Sequence, residues 1–561
     1  MKRLATILGV ITIILMAHVG LYNYSKAPFV VFHRGIKVTL PPPLPMSLPL
    51  SGLLLLATLP LMYLSCKNKY LLSSAILLVI GIFLLKGFPL SLLLFAGICY
   101  LLMVLVVYGD RRILYFTFAA IVVFCALLSL ASIPHYIYLL VREEFVILEV
   151  AKLEALIFYL LDPIIPILLL TLFYMYVILR ASKSIAHIPR SKNVASSSMD
   201  IPPTLLIPLF SLAAFLPLCL IYAIHSFRYP RLVGVDLPRY MNFLQASIVR
   251  GSESLLADPR LMSMTMLYAI NTLTQNPRMT VRITIMLTSL IYVICAILAA
   301  RKLWGRDIAA ITGIATALSP ITASGLYAAI MANWLALGFM YLTLAYLPQV
   351  RENRRALILS LAFSILTLLS HPWTWDMLMA LILIYALYLT VKYRSLKEAL
   401  PYVTLMAVNL AVDRIRALLR GPGGMELGRS LATHMLSLSN LYILVPNLKW
   451  TFHLYVGGSF DTPLLLILAI IGGYFIYLGN TEKRELLLLW SLLIGLVFPF
   501  AHRSMGWRLL FNTPTPLLAG VGLYHVLDNL RNKYLRPLFL CWFIAAHMNH
   551  IIRIGLIAPV M

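Results

Sequence analysis

A chain of 561 residues that is 61% hydrophobic and only 12% charged, with a mean hydropathy of +0.92, is not a soluble domain; those carry about 25% charged residues. Apolar runs near the roughly 20-residue length that spans a bilayer recur from end to end, which marks an all-α polytopic membrane protein. A transmembrane barrel of alternating strands of about 10 residues is excluded, and the net charge of +25 must be read by where it lies.

In chain order, the first apolar segment follows Met1-Lys2-Arg3 and lacks a small-residue cleavage site, so it reads as a retained span. It opens onto a loop ending in Pro41-Pro42-Pro43. Further spans are expected at 48–65, 70–85, 89–108, 113–133 and 155–180, which together make residues 1–180 an additional six-span module. Residues 181–200, with Pro189, Arg190, Lys192 and a run of serines, read as a cytoplasmic linker and the best boundary in the chain.

The second module, 201–561, is expected to hold spans at about 202–224, 282–300, 307–320, 326–347, 356–371, 375–392 and 398–413. Others follow at 461–479, 486–501, 508–527 and 536–557, for about seventeen in all. The six cysteines have no metal-ligand spacing and read as small membrane hydrophobes, with neither disulfides nor a zinc site expected.

Short loops dense in Lys and Arg alternate along the chain, among them Arg111/Arg112, Arg301/Lys302/Arg306, Lys392/Arg394/Lys397 and Lys483/Arg484. The positive-inside rule makes these cytoplasmic, with the amino terminus inside and the carboxyl terminus outside, in what is read as a cell membrane. Two long outer loops, roughly 226–281 and 414–460, are nevertheless rich in arginine, including Arg239, Arg260 and Arg416. Positive charge on the outer side runs against the insertion bias. Either a phosphate-bearing partner compensates it, since guanidinium groups bind phosphate bidentately, or the side chains snorkel to lipid head groups.

The stretch GVDLPRYMNFLQAS, from Gly234, reads as the start of an interfacial helix over Tyr240 to Ile248, with Asp236 either capping the helix or free for chemistry. A second interfacial helix is expected from Arg260 to Leu273. His371-Pro372-Trp373-Thr374-Trp375-Asp376 marks an outer hairpin. Its tryptophans fit an interfacial aromatic belt, whereas a carboxylate at the start of a span needs a reason, so Asp376 is a candidate site residue. Finally His502-Arg503-Ser504-Met505-Gly506-Trp507-Arg508 leads into a span containing Pro514 and Pro516. There two arginines at a helix mouth are placed to hold a phosphate or pyrophosphate.

From about residue 202 onward the order of landmarks resembles the GT-C class of membrane glycosyltransferases, which includes protein O-mannosyltransferases, oligosaccharyltransferase catalytic subunits and aminoarabinose transferases. The landmarks are the acidic first loop (GVDLPRY), two interfacial helices, a basic Gly turn (ARKLWGRDIAA), a short span ending in Ser-Pro (ALSP) and an arginine-led span with prolines (WRLLFNTPTPLLAG). The resemblance implies that Asp236 is a catalytic base or helps to hold a divalent cation, and that Arg503 and Arg508 hold the donor phosphate. Arg239, Tyr240, Asp258, His371, Trp373, Asp376 and His502 are further candidates for the pocket. Two departures leave a cation without its expected second carboxylate: Asp236 has no acidic neighbour until Glu253 and Asp258, and the segment Ile321 to Gly325 has none.

The implied activity is transfer of a sugar from a polyprenyl-phosphate-linked donor to a lipid, glycan or protein acceptor on the outer face, with inversion. No nucleic-acid partner is expected. The alternatives are a transporter or flippase of lipid-linked saccharides and a non-catalytic membrane scaffold.

Overall fold

In a computed structural model the described residues are chiefly 236–420, 464–478, 482–502, 511–530 and 535–557, a hairpin at 30–39 and a few isolated positions. The six spans expected within residues 1–180, the linker, Arg503 and most of the second outer loop lie outside them. The hairpin pairs β1 (Val30–His33) with β2 (Ile36–Thr39) antiparallel, in the register Val30↔Thr39 to His33↔Ile36. It corrects the all-α expectation at one point. VVFH and IKVT are rich in β-branched residues and are separated by Arg34-Gly35, a two-residue spacing that favours a tight hairpin.

The described part of the second module is helical. Of the expected span at 202–224, positions 215, 216, 219 and 222 are described and helical, with Phe215 and Tyr222 buried. The two interfacial helices are α1 (Leu237–Arg250) and α2 (Leu261–Thr274), joined by a 3₁₀ turn over Gly251–Ala257. They bury Tyr240, Leu244, Met264 and Leu267 completely, against α3 (Pro277–Trp304) and the helices that follow.

Helix α3 begins because Asn276 Oδ1 accepts the amides of Arg278 and Met279 at 3.1 and 3.2 Å and Pro277 is tolerated in the first turn. It stops at Gly305, whose φ of +98° suits glycine, and α4 (Arg306–Ala317) starts immediately beyond. The basic Gly turn is therefore a true helix boundary.

Ser319-Pro320 was expected to close a span, but it opens α5 (Pro320–Ala328). The Ser319 hydroxyl accepts the Ile321 amide at 3.1 Å and Pro320 takes the first helical position. The expected outer loop at Ile321 to Gly325 is thus helical, and the actual turn is Ala329–Ile330, before α6 (Met331–Tyr346). The expected single span at 326–347 is divided by that turn.

Helices α7 (Arg354–Ser370), α8 (Pro372–Tyr393) and α9 (Leu400–Arg420) follow. After them come α10 (Leu464–Leu478), α11 (Glu482–Val497), α12 (Thr515–Asn529) and α13 (Leu535–Ile557). Among the described residues α3 and α8 are the two helices long and apolar enough to cross a bilayer outright.

Small residues set the closest crossings. A Cβ on Gly472 would run into Leu518 O, and one on Gly522 into Leu468 O, so α10 and α12 touch backbone to backbone. Tyr292 of α3 stacks on Trp334 of α6 and shares a 3.2 Å hydroxyl contact with Tyr341. Buried hydroxyls in this apolar interior donate to the carbonyl of the preceding turn, as Thr284 does to Thr280 O at 2.6 Å and Thr288 to Thr284 O at 2.9 Å. These hydroxyls then need no water.

Candidate active site

The first loop enters the site pinned to the α5–α6 turn. Gly234, with φ +153°, lies so close to it that a Cβ would meet Ala329 Cβ at 2.5 Å, and the Asp236 amide donates to Ala328 O at 3.4 Å. This close approach is what the glycine permits.

Asp236 then precedes α1, but its side chain does not cap the helix. The capping expectation fails because the carboxylate has a stronger partner: Arg260 NH1 donates to Asp236 Oδ2 at 3.0 Å, a charge-assisted bond across 24 positions of sequence. The same guanidinium nitrogen reaches the Tyr240 hydroxyl at 3.4 Å. Burial, with the Asp236 charge adding to it and the Arg260 charge opposing it, pushes the Tyr240 phenol up to about 12.

Asp258 completes a second pair. Its Oδ2 accepts from Arg239 Nε and NH2 at 3.0 and 2.9 Å, and its Oδ1 accepts the Arg260 amide at 2.8 Å. The acidic partner missing beside Asp236 in sequence is therefore present in space, bridged by Arg260.

Arg416 of α9 is nearly fully buried. It donates through Nε and NH2 to Asp413 Oδ1 at 3.3 and 3.0 Å, and through NH1 to Pro259 O at 3.3 Å. A continuous chain of hydrogen bonds thus runs from the bundle, through the Asp258-Pro259-Arg260 peptide, to Asp236.

His371 is the single residue between α7 and α8 and caps the latter, its Nδ1 accepting the Thr374 amide at 3.4 Å. Thr374 Oγ1 in turn donates to Asn333 Oδ1 of α6 at 2.7 Å. Burial and the charges of Arg260, Arg508 and Arg239 together hold the His371 imidazole well below its usual range, hence neutral. Three guanidinium groups from two remote segments therefore converge on one uncharged ring.

The structure brings together Asp236, Arg239, Tyr240, Asp258, His371 and Arg508 among the expected site residues. It adds Arg260 and, through Pro259, Arg416 and Asp413. Trp373 and Trp375 are not in an exposed belt: they are 8% and 0% accessible, and the Trp375 indole donates to Asn409 Oδ1 at 3.1 Å. That correction follows from the bundle closing over the start of α8. Asp376, five positions beyond His371, keeps one buried carboxylate oxygen with no hydrogen-bond partner and faces the charges of Asp413 and Arg416.

His502 is exposed, and its carbonyl takes the Gly506 amide at 2.9 Å. The span expected to contain Pro514 and Pro516 is broken there: Asn512 Nδ2 donates to Arg508 O at 2.7 Å, and α12 starts at Thr515.

A divalent cation does not fit these residues. Asp236 Oδ2 and both Asp258 oxygens are already bound to nitrogen donors, and among the described residues no group of three or more metal-binding side chains occurs. Arg260 was visible in the sequence as a loop arginine, but nothing local marked it as the partner of Asp236. Asp413 read as the end of a span, with no signal of its own.

The chain resembles two solved GT-C glycosyltransferases. ArnT from Cupriavidus metallidurans, solved in the apo state and bound to undecaprenyl phosphate, is 15% identical at a TM-score of 0.43; the match covers 64% of this chain and 76–77% of that one. The archaeal oligosaccharyltransferase AglB from Archaeoglobus fulgidus, in complex with an inhibitory peptide and a dolichol-phosphate, is 12% identical at a TM-score of 0.40; that match covers 64% of this chain and 56% of AglB. No protein-family model matches the sequence, and no curated protein does.

Proposed function

We propose that the chain is a membrane glycosyltransferase that moves a sugar from a polyprenyl-phosphate-linked donor to a hydroxyl or amide acceptor on the outer face. The observation that carries this reading is the cluster in which Arg260 fixes the Asp236 carboxylate at 3.0 Å and Arg239 holds Asp258 at 2.9 Å, with Arg508 acting together with them on the buried His371. Guanidinium groups gathered in this way suit an anionic phosphate, which they bind bidentately.

In this reading Asp236 takes the proton of the acceptor as its oxygen or nitrogen forms the bond to the anomeric carbon. The bond from that carbon to the phosphate oxygen breaks, its electron pair stays on the phosphate, and Arg508 with its neighbours stabilises the charge that develops there. The products are the glycosylated acceptor and the polyprenyl phosphate, and one displacement inverts the anomeric configuration. Arg503, at the same helix mouth by sequence, is assigned to the same phosphate. Residues 1–180 are an additional membrane module of this enzyme. Asp236 serves this role well because its Oδ2 is anchored while the side chain remains 30% exposed.

The test is Asp236→Asn in the reconstituted full chain, assayed for transfer from undecaprenyl-phosphate-linked and dolichyl-phosphate-linked sugars. Transfer is expected to fall by at least about 10³-fold with thermal unfolding in detergent little changed. Full activity in that variant would sink the assignment.

A further inference from the structure

The first two turns of α8 contain a contrast. Thr374 and Trp375 have found polar partners inside the bundle, on Asn333 of α6 and Asn409 of α9. Trp373 and Asp376 have not: the Trp373 indole N–H and one Asp376 carboxylate oxygen are both buried without a hydrogen-bond partner. Buried polar atoms are nearly always paired, so each exception calls for an explanation.

These two exceptions belong together. Residues three apart lie on one face of a helix, so an unsatisfied donor and an unsatisfied acceptor share that face. The unpaired Trp334 indole N–H stands by itself on α6, and the unpaired Glu485 oxygen and Trp490 indole N–H of α11 are five positions apart, off a common face. Among the described residues, Trp373 and Asp376 are the unpaired donor and acceptor that share a helical face at this spacing.

We propose that Trp373 and Asp376 form a hydroxyl-recognition subsite for the sugar of the lipid-linked donor. A sugar hydroxyl accepts from the indole N–H and donates to the carboxylate, satisfying both groups at once. The subsite adjoins the arginine cluster: it starts two residues after His371, and Asp376 faces Arg416, which holds the Pro259 carbonyl beside Arg260. A sugar seated there leaves its phosphate toward Arg239, Arg260 and Arg508. The inference rests on the donor reading above.

Two conservative variants test it. Trp373→Phe removes the N–H and keeps a ring; Asp376→Asn removes the charge and keeps the shape. In full chain reconstituted in nanodiscs, binding would be measured to undecaprenyl phosphate and to its glucosyl, mannosyl and galactosyl derivatives. The wild type is expected to bind at least one glycosyl lipid about ten-fold tighter than the sugar-free lipid. Both variants should lose that preference to within about two-fold, with unchanged affinity for undecaprenyl phosphate.

A preference that survives in both variants, or no preference in the wild type, overturns the subsite and leaves the phosphate reading standing. A wild type that binds neither kind of lipid overturns both. Variants that weaken only the acceptor, read as a rise in its KM alone, overturn the assignment to the donor sugar.

Discussion

The two ends of α8 place charge in opposite ways. At its carboxyl end Lys392 is matched locally: its Nζ lies 2.6 Å from Glu485 Oε1 and above the rings of Tyr388 and Tyr393. Nearby, Arg351 pairs with Glu398 at 3.0 Å and lies over Tyr393. At the amino end, about 33 Å away at the helical rise of 1.5 Å per residue, the charges acting on His371 are three arginines. The carboxyl end holds simple pairs, as expected of a basic rim that anchors helices. At the amino end Arg239 and Arg260 are held by Asp258 and Asp236, and these two ion pairs gather with Arg508 around one buried neutral ring. Positive charge by itself therefore does not mark a site; the gathering of several charged groups from remote segments does.

The strongest way to break this contrast is at Arg260. Arg260→Ala removes the partner of Asp236 and of the Tyr240 hydroxyl together, and transfer is expected to fall by about 10²–10³-fold, measured as kcat. Activity within about two-fold of wild type would show that Asp236 needs no fixed position.

Arg416 probes the same chain of bonds one step further back. Arg416→Ala removes the buried guanidinium that Asp413 accepts from and is expected to cost about 3 kcal/mol of stability in chemical denaturation. The Asp413→Asn, Arg416→Gln double variant removes both charges of the pair. It should recover stability while kcat stays several-fold low and KM for the donor is little altered. Recovery of both kcat and stability would make the pair purely structural.

His371 yields a pH effect. Its imidazole is held well below 6.5 in the folded chain, by burial first and then by Arg260, Arg508 and Arg239. As pH falls below about 6.5 the unfolded chain binds a proton that the folded one does not, so stability decreases with acidity and is fully present above that point. His371→Gln should flatten the acid-side fall of Tm between pH 6.5 and the acid limit of folding; an unchanged slope would contradict a neutral, buried ring.

The smallest effect is expected at the carboxyl end of α8. Lys392→Ala should leave transfer unchanged and shift stability by no more than about 0.5 kcal/mol, because partly exposed pairs contribute little. A large loss of activity there would erase the distinction between the two ends.

Much of the second module was legible in the sequence. The interfacial helices, the Gly305 boundary and the starts of α7 and α8 follow from local signals: Asn353 Oδ1 takes the Arg355 amide at 2.9 Å, as an Asn before a helical run should. Ser319-Pro320 misled because the same pair that can follow one helix also starts the next. The hairpin over 30–39 was missed because its strands are short beside the apolar runs around them. Within the candidate site, Asp236 pairs with Arg260 and its side chain does not cap α1.

Composition and apolar periodicity determined that this is a membrane-embedded helical protein, since only a helix satisfies its own backbone in hydrocarbon. They also singled out most of the charged residues that the fold gathers around His371. Which of those charges meet was decided by the tertiary structure alone. Arg260 selects Asp236, Arg239 selects Asp258, and Arg416 reaches Pro259 from 157 positions away. An ion pair forms where packing brings two side chains within about 4 Å, and the energy that selects it falls with distance in space, whatever the separation along the chain.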